Sequence, residues 1–335
     1  MSASRGSARW KTASVVAALV LGAVSGRAAR TQEPAPARFD PATLKPFTEI
    51  TMYLDKYQTG LYPDGKNEIP AAHRTAGERV AAAVRPLDVE GKPDPAGGRI
   101  LAVVMGHSNC NMYFNALQAH LKQHAGELNP RFEMLNAAVG GQQLPQIRQL
   151  AGPVWTQAER LLSRPGYSAK QVQVLFLHTT WHGAGNRGNT PPEPFPDEMK
   201  QMQKDLALVL GQCVKIYPNL RIACLTCDGF RHFTGFEPHV WREAFAFKWL
   251  IESQIKGEEG TAFEDKDGKT RALPWLEWGP YIWDNAWDRS FFTDGVHPAP
   301  KARDIFVNQY WKFLAADPVA RPWLWKDGKP PTIAP

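Results

Sequence analysis

The chain has 335 residues and a formal charge of +6 at pH 7. Removing Arg5, Arg9 and Lys11 with the leader described next leaves +3, and no run of Lys and Arg gathers on one segment, which excludes a nucleic-acid interface. No repeat and no bilayer-length apolar stretch follows the leader, so the roughly 300 remaining residues read as one large domain, or a domain with insertions, with a substantial core.

Residues 1–26 read as a secretory signal peptide. Three basic residues precede an apolar run at 15–24 that is too short to span a bilayer, and small residues follow it. The expectation is export to the periplasm or the extracellular space. Residues 27–38, rich in Pro and Ala, read as a flexible linker. A lead-in over 39–98 contains a turn at 62–65, a helix over 70–84 that begins at Pro70, and a loop over 91–98. His73 on that helix reads as a surface or packing residue.

The stretch over 100–111, ILAVVMGHSNCN, organises the rest. Its first half is an unbroken apolar run, as in a strand buried on both faces of a parallel sheet. Gly106 then permits a tight turn, and Ser108 and Asn109 are good helix N-caps, so the chain leaves the carboxyl edge of the sheet and starts a helix. Ser108 there either caps that helix or sits where open α/β sheets bind ligands, beside the N–H groups of the helix start.

Apolar strands then alternate with helical patterns. Helices are expected over 112–124, 144–162, 197–217 and 240–256, and strands over 131–138, 171–177 and 220–226. This order predicts the α/β class, a mostly parallel sheet with helices on both faces. Two stretches break the alternation. The Gly-, Asn- and Pro-rich segment 183–196 reads as a lid or substrate collar. Residues 257–290 read as a Trp-rich insertion, with a charged turn at 265–268 followed by Trp275, Trp278, Tyr281, Trp283 and Trp287. Those rings either stack on sugar rings or an acyl group, or pack the insertion onto the sheet. Residues 319–335 read as a C-terminal tail.

Before the last helix, FFTDGVHPA places Asp294 and His297 three apart across Gly295. On one short loop, a carboxylate can then accept from one imidazole nitrogen and hold the tautomer whose other nitrogen takes a proton from a serine hydroxyl. The alternative is a polar turn.

With both ends in hand, residues 99–318 resemble the SGNH hydrolase superfamily, the GDSL-type esterases and lipases. Gly106, His107 and Ser108 match its nucleophile block, Gly140 or Gly141 in NAAVGG its second block, and Asp294 and His297 its last. The resemblance implies a flavodoxin-like three-layer α/β/α fold. It also implies an ester hydrolase in which Ser108 attacks, His297 acts as base and then acid, and Asp294 orients His297. Backbone N–H groups of Ser108 and Gly140 or Gly141 would form the oxyanion hole, with no metal or organic cofactor. The third block of the family supplies an asparagine. Here that strand runs into HTTWHGAGN, where Asn186 stands several residues late and Thr179, Thr180 and His182 are the other substitutes. His178, Trp181, His182, Trp283 and Trp287 are the expected substrate-binding residues, for a small-molecule or polysaccharide ester such as an O-acetylated carbohydrate.

Two other classes remain open. A catalytically silent, carbohydrate-binding version of the fold would keep the tryptophans without a complete oxyanion hole. A metallohydrolase would use His178, His182, Asp228 and His232, although the helical His-Glu-x-x-His pattern is absent. Cys224 and Cys227 form a Cys-x-x-Cys, but Cys110 and Cys213 lie too far off to complete a zinc site. For an exported chain a disulfide is expected among the four, with buried free thiols as the second choice.

Overall fold

Three apolar runs, ILAVVMG, VQVLFLH and IACLT, are buried at every position and form the centre of a parallel sheet. Such runs lack the two-residue alternation of a half-exposed strand because both faces are covered. The structure is a computed structural model and describes residues 43–181, 195–228, 237–258, 260–264, 270–283 and 287–333. The expected signal peptide, the linker, the loop turn at 265–268, and His182, Asn186 and His232 lie outside the described residues, as does most of the segment expected as a lid.

The strands of the main sheet are β3 (Ile100–Gly106), β4 (Phe132–Asn136), β5 (Val172–His178), β6 (Ile222–Thr226) and β9 (Trp275–Trp278). Their order is β4-β3-β5-β6-β9 and every pairing is parallel. Counted along the sheet this is the flavodoxin-like order 2-1-3-4-5, whose switch point lies between the first and third strands, here β3 and β5. Two antiparallel pairs stand outside that sheet, β1 (Met52–Tyr53) with β2 (Tyr57–Gln58) and β7 (Ala262–Glu264) with β8 (Thr270–Ala272).

Alternate residues of β3 face opposite layers. Leu101, Val103 and Met105 join one apolar cluster with residues of α4 (Pro153–Leu162), α5 (Asp197–Ile216) and α6 (His239–Lys256). Ile100, Ala102 and Val104 join the other with residues of α1 (Ala71–Ala81), α2 (Ser108–Gln123) and α7 (Pro300–Ala316). Each helix turns its apolar stripe to the sheet, as Tyr113, Phe114, Leu117 and Leu121 do on α2, at helical spacing. Among the described residues no helix is long and apolar enough to cross a membrane.

Several elements differ from the expectation. The helix expected over 144–162 is two, α3 (Leu144–Ile147) and α4, because Pro153 at the first turn of α4 bars Gly152 from helical geometry. The Trp-rich stretch expected as an insertion contains β9, the fifth strand of the sheet, with Ile222 to Leu225 of β6 registered against Trp275 to Trp278. The stretch expected as a tail begins with α8 (Arg321–Leu324) and buries Val319, Trp323, Leu324 and Trp325 in the α2/α7 layer. His73 is a packing residue: it stacks on Trp275 and bonds the Leu276 carbonyl at 2.7 Å.

Candidate active site

Gly106 ends β3 in close approach to β5. A Cβ there would lie 2.0 Å from the His178 carbonyl oxygen and 2.7 Å from Cys110 Sγ, so no other residue fits without parting the strands. One residue later the chain turns into α2, with His107 at the N-cap and Ser108 as the first helical residue. The cap assignment therefore differs from the expectation: neither Ser108 nor Asn109 caps the helix, and the hydroxyl of Ser108 is directed elsewhere.

It is directed at the last loop of the sheet's carboxyl edge. Ser108 Oγ lies 3.0 Å from His297 Nε2, and His297 Nδ1 lies 2.7 Å from Asp294 Oδ2. An ionised carboxylate can only accept, so Nδ1 carries the proton and the serine hydroxyl donates to Nε2. The loop is held by its own backbone. Thr293 N–H donates to the His297 carbonyl at 2.8 Å, Gly295 takes φ +86° in the turn, and α7 starts at Pro300 immediately after. Asp294 Oδ1 accepts from the N–H groups of Val296 at 2.9 Å and His297 at 2.8 Å. Donation by the His297 backbone and imidazole, then by Val296, holds the Asp294 carboxyl well below the usual carboxylate range. Asn109 Nδ2 donates to the Val296 carbonyl at 3.2 Å and so ties α2 to this loop.

The backbone groups expected as oxyanion donors flank Ser108. As the first residue of α2, Ser108 has a backbone N–H without an intrahelical acceptor. After β4 the chain returns alongside, with Val139 N–H donating to the Gly106 carbonyl at 3.0 Å, and a Cβ on Gly140 would come within 3.9 Å of Ser108 Cβ. Gly141 takes φ +73° with no atom near its Cβ position. Thr179 and Thr180 are both fully buried. Thr180 Oγ1 donates to Glu243 Oε1 at 2.9 Å, Trp181 N–H donates to the same oxygen at 2.9 Å, and Thr179 N–H donates to the Thr226 carbonyl at 3.2 Å. These threonines tie the end of β5 to α6 and β6.

The other expected site residues divide. His178 is buried, and its Nε2 donates to Asp228 Oδ1 at 3.0 Å. Trp287 is also buried, stacked on Phe291 at 5.6 Å between ring centroids, and so backs the Asp294 loop. Trp283 is half-buried and stacks on Tyr281 where the chain leaves β9, and Trp181 is half-buried at the end of β5. Among the described residues no group of three or more His, Cys, Asp and Glu could hold a metal ion. The expected disulfide is absent: all four cysteines are free and buried. Cys110 and Cys224 face the α2/α7 layer, whereas Cys213 and Cys227 face the α5/α6 layer. Burial raises all four thiols above their ordinary pKa. A cavity of about 720 Å³ is lined by Leu150, Trp155, Tyr167 and Ile216. Residues leading into β5 and β6 wall it, at the edge of the sheet opposite Ser108.

Two contacts carried no usable signal in the sequence. His107 Nε2 donates to Asp228 Oδ2 at 2.8 Å, across 121 residues, and Glu243 receives Thr180 across 63. Local spacing cannot announce partners so far apart.

No protein-family model and no curated protein matches the chain. Solved structures do. One is described as a candidate GDSL-like lipase from Parabacteroides merdae, at 15% identity and TM-score 0.38, covering 63% of this chain and 94% of that one. Another is a candidate SGNH hydrolase from Slackia heliotrinireducens, at 13% identity and TM-score 0.35, covering 65% and 100%. A third is an α/β-hydrolase enzyme from the metagenome of Lake Arreo, Spain, at 13% identity and TM-score 0.38, covering 66% and 95%.

Proposed function

We propose that the chain is an exported serine hydrolase of SGNH type that cleaves an ester through an acyl-enzyme. One observation carries this reading: the continuous relay from the Ser108 hydroxyl through His297 to the Asp294 carboxylate, at 3.0 and 2.7 Å. In such a relay His297 Nε2 takes the proton as Ser108 Oγ adds to the ester carbonyl, and Asp294 stabilises the imidazolium. The oxyanion meets the N–H of Ser108 and that of Gly140 or Gly141, each good donor contributing about 3 kcal/mol. His297 then protonates the departing alcohol, and a water deprotonated by the same nitrogen hydrolyses the acyl-serine. The proposed substrate class is an acetylated carbohydrate, a reading that rests on the family resemblance and on the Trp-rich stretch over 275–287.

A second reading has its own support. Thr180, at the end of β5, spends its hydroxyl on Glu243 and is buried, so it adds no donor to the hole. A chain with two backbone donors would be a slow enzyme or a carbohydrate binder. Turnover of p-nitrophenyl acetate by wild type and Ser108→Ala, each with and without EDTA, separates the classes. The proposed mechanism expects turnover that requires Ser108 and survives EDTA. Turnover that survives Ser108→Ala and is lost to EDTA would move the chemistry to a metal, and no turnover of any ester would favour the binder.

A further inference from the structure

Behind the nucleophile lies a second polar assembly that the relay does not use. Asp228 sits two residues beyond β6, is 5% exposed, and receives His107 Nε2 on one carboxylate oxygen at 2.8 Å and His178 Nε2 on the other at 3.0 Å. His107 and His178 are buried as well. The three groups come from the carboxyl ends of β3, β5 and β6, neighbouring strands that include the switch point.

We propose that Asp228 is a positioning residue for the serine reaction, acting through His107 on the oxyanion-donating N–H of Ser108. This inference rests on the serine-hydrolase reading. His107 is the N-cap of α2, yet its side chain makes no capping bond. Its ring turns away from the helix to reach Asp228, leaving Nδ1 buried without a hydrogen-bond partner among the described residues. A capping role would point that side chain at the first N–H groups of α2, and a packing role would be filled by an apolar side chain with no orphaned nitrogen. What the bond to Asp228 does fix is His107 itself, whose ψ of −164° sets the plane of the 107–108 peptide. That peptide carries the Ser108 N–H. Asp228 is fixed in turn from β5 by His178, so its carboxylate cannot follow His107 if that residue rotates. A donor aimed in advance at the developing oxyanion stabilises the transition state and not the bound ester.

The test compares Asp228→Asn with wild type on p-nitrophenyl acetate, and measures inhibition by phenylboronic acid, whose tetrahedral adduct on serine puts an oxygen in the oxyanion hole. The expected result is a kcat lower by about 10- to 100-fold with KM within about twofold. The boronate inhibition constant should rise in step with the fall in kcat/KM. A merely structural Asp228 would lower the unfolding midpoint and leave kcat per folded molecule and boronate affinity unchanged, which overturns the proposal. Should Asp228→Asn not fold, His107→Gln and His107→Leu carry the comparison: Gln can still donate to Asp228 and should keep at least about tenfold more turnover than Leu, and equal turnover overturns the proposal. Ser108→Ala marks which idea has failed. If turnover depends on Ser108 but not on Asp228 or His107, this inference alone falls; if it does not depend on Ser108, both fall.

Discussion

Gly106→Ala adds one methyl group at the point where the turn to Ser108 leaves β3. The new carbon would begin 2.0 Å from the His178 carbonyl oxygen, whereas real Cβ contacts stay at 3.0 Å or more. The ends of β3 and β5 must therefore part by about 1 Å, and the second contact, with Cys110 Sγ at 2.7 Å, blocks escape toward α2. Overpacking of this kind costs roughly 1–3 kcal/mol, or about 2–5 °C in Tm for a domain of roughly 300 residues. The same shift moves Ser108 against His297, and about 1 Å of misplacement in a reacting pair costs on the order of 10²-fold in rate. Thermal unfolding and p-nitrophenyl acetate turnover read the two effects separately. Gly126→Ala, where nothing stands within 4 Å of the added carbon, is the control and should change neither. Turnover and Tm of Gly106→Ala equal to the control would refute the close approach of the two strands and the dependence of the site on it.

Asp294→Asn keeps an oxygen for the loop N–H groups but no longer selects the tautomer of His297, so kcat is expected to fall by about 10⁴-fold; a fall under tenfold in steady-state assays would show that Asp294 does not orient the base. Because its folded pKa is depressed, the stability Asp294 contributes is present above its unfolded pKa near 4 and is lost as pH falls through the lower folded value, so the gap between wild type and Asp294→Asn should narrow below about pH 4. Asp317 has the opposite sign. Burial pushes its carboxyl up to about 6, so the folded state favours the protonated form, and stability relative to Asp317→Asn should decline between about pH 4 and pH 6 by at most about 3 kcal/mol. Urea unfolding across that range checks it, and a constant difference would contradict the shift. Finally, the native protein should leave its thiols unreactive to Ellman's reagent while the denatured chain gives all four; fewer than four without reductant would reveal a disulfide.

What the sequence made legible was local. ILAVVMGHS holds a strand, a turn and a helix start within nine residues, and FFTDGVHPA sets a carboxylate and an imidazole three residues apart. In both, the backbone geometry follows from neighbours in the chain. β9 was not legible because WLEW is four residues long and carries Glu277, which breaks the apolar signal. Burial raises that carboxyl well above its ordinary range, so a nominally charged residue sits in a fully buried strand. The expected disulfide came from the compartment, whereas all four thiols are free, and Cys224 and Cys227, neighbours in sequence, point to opposite faces of the sheet. The assembly of His107, Asp228 and His178 is drawn from three strand ends, and only the strand order brings them together.

The most direct measurement of the central claim is covalent labelling with a fluorophosphonate, followed by peptide mass mapping. If His297 activates Ser108 as the 3.0 Å contact implies, each chain should take up one phosphonyl group. That group should lie on the peptide containing Ser108, and His297→Ala should slow labelling by on the order of 10²-fold or more. A protein that turns over esters while Ser108 remains unlabelled, or that labels equally fast without His297, would contradict the account.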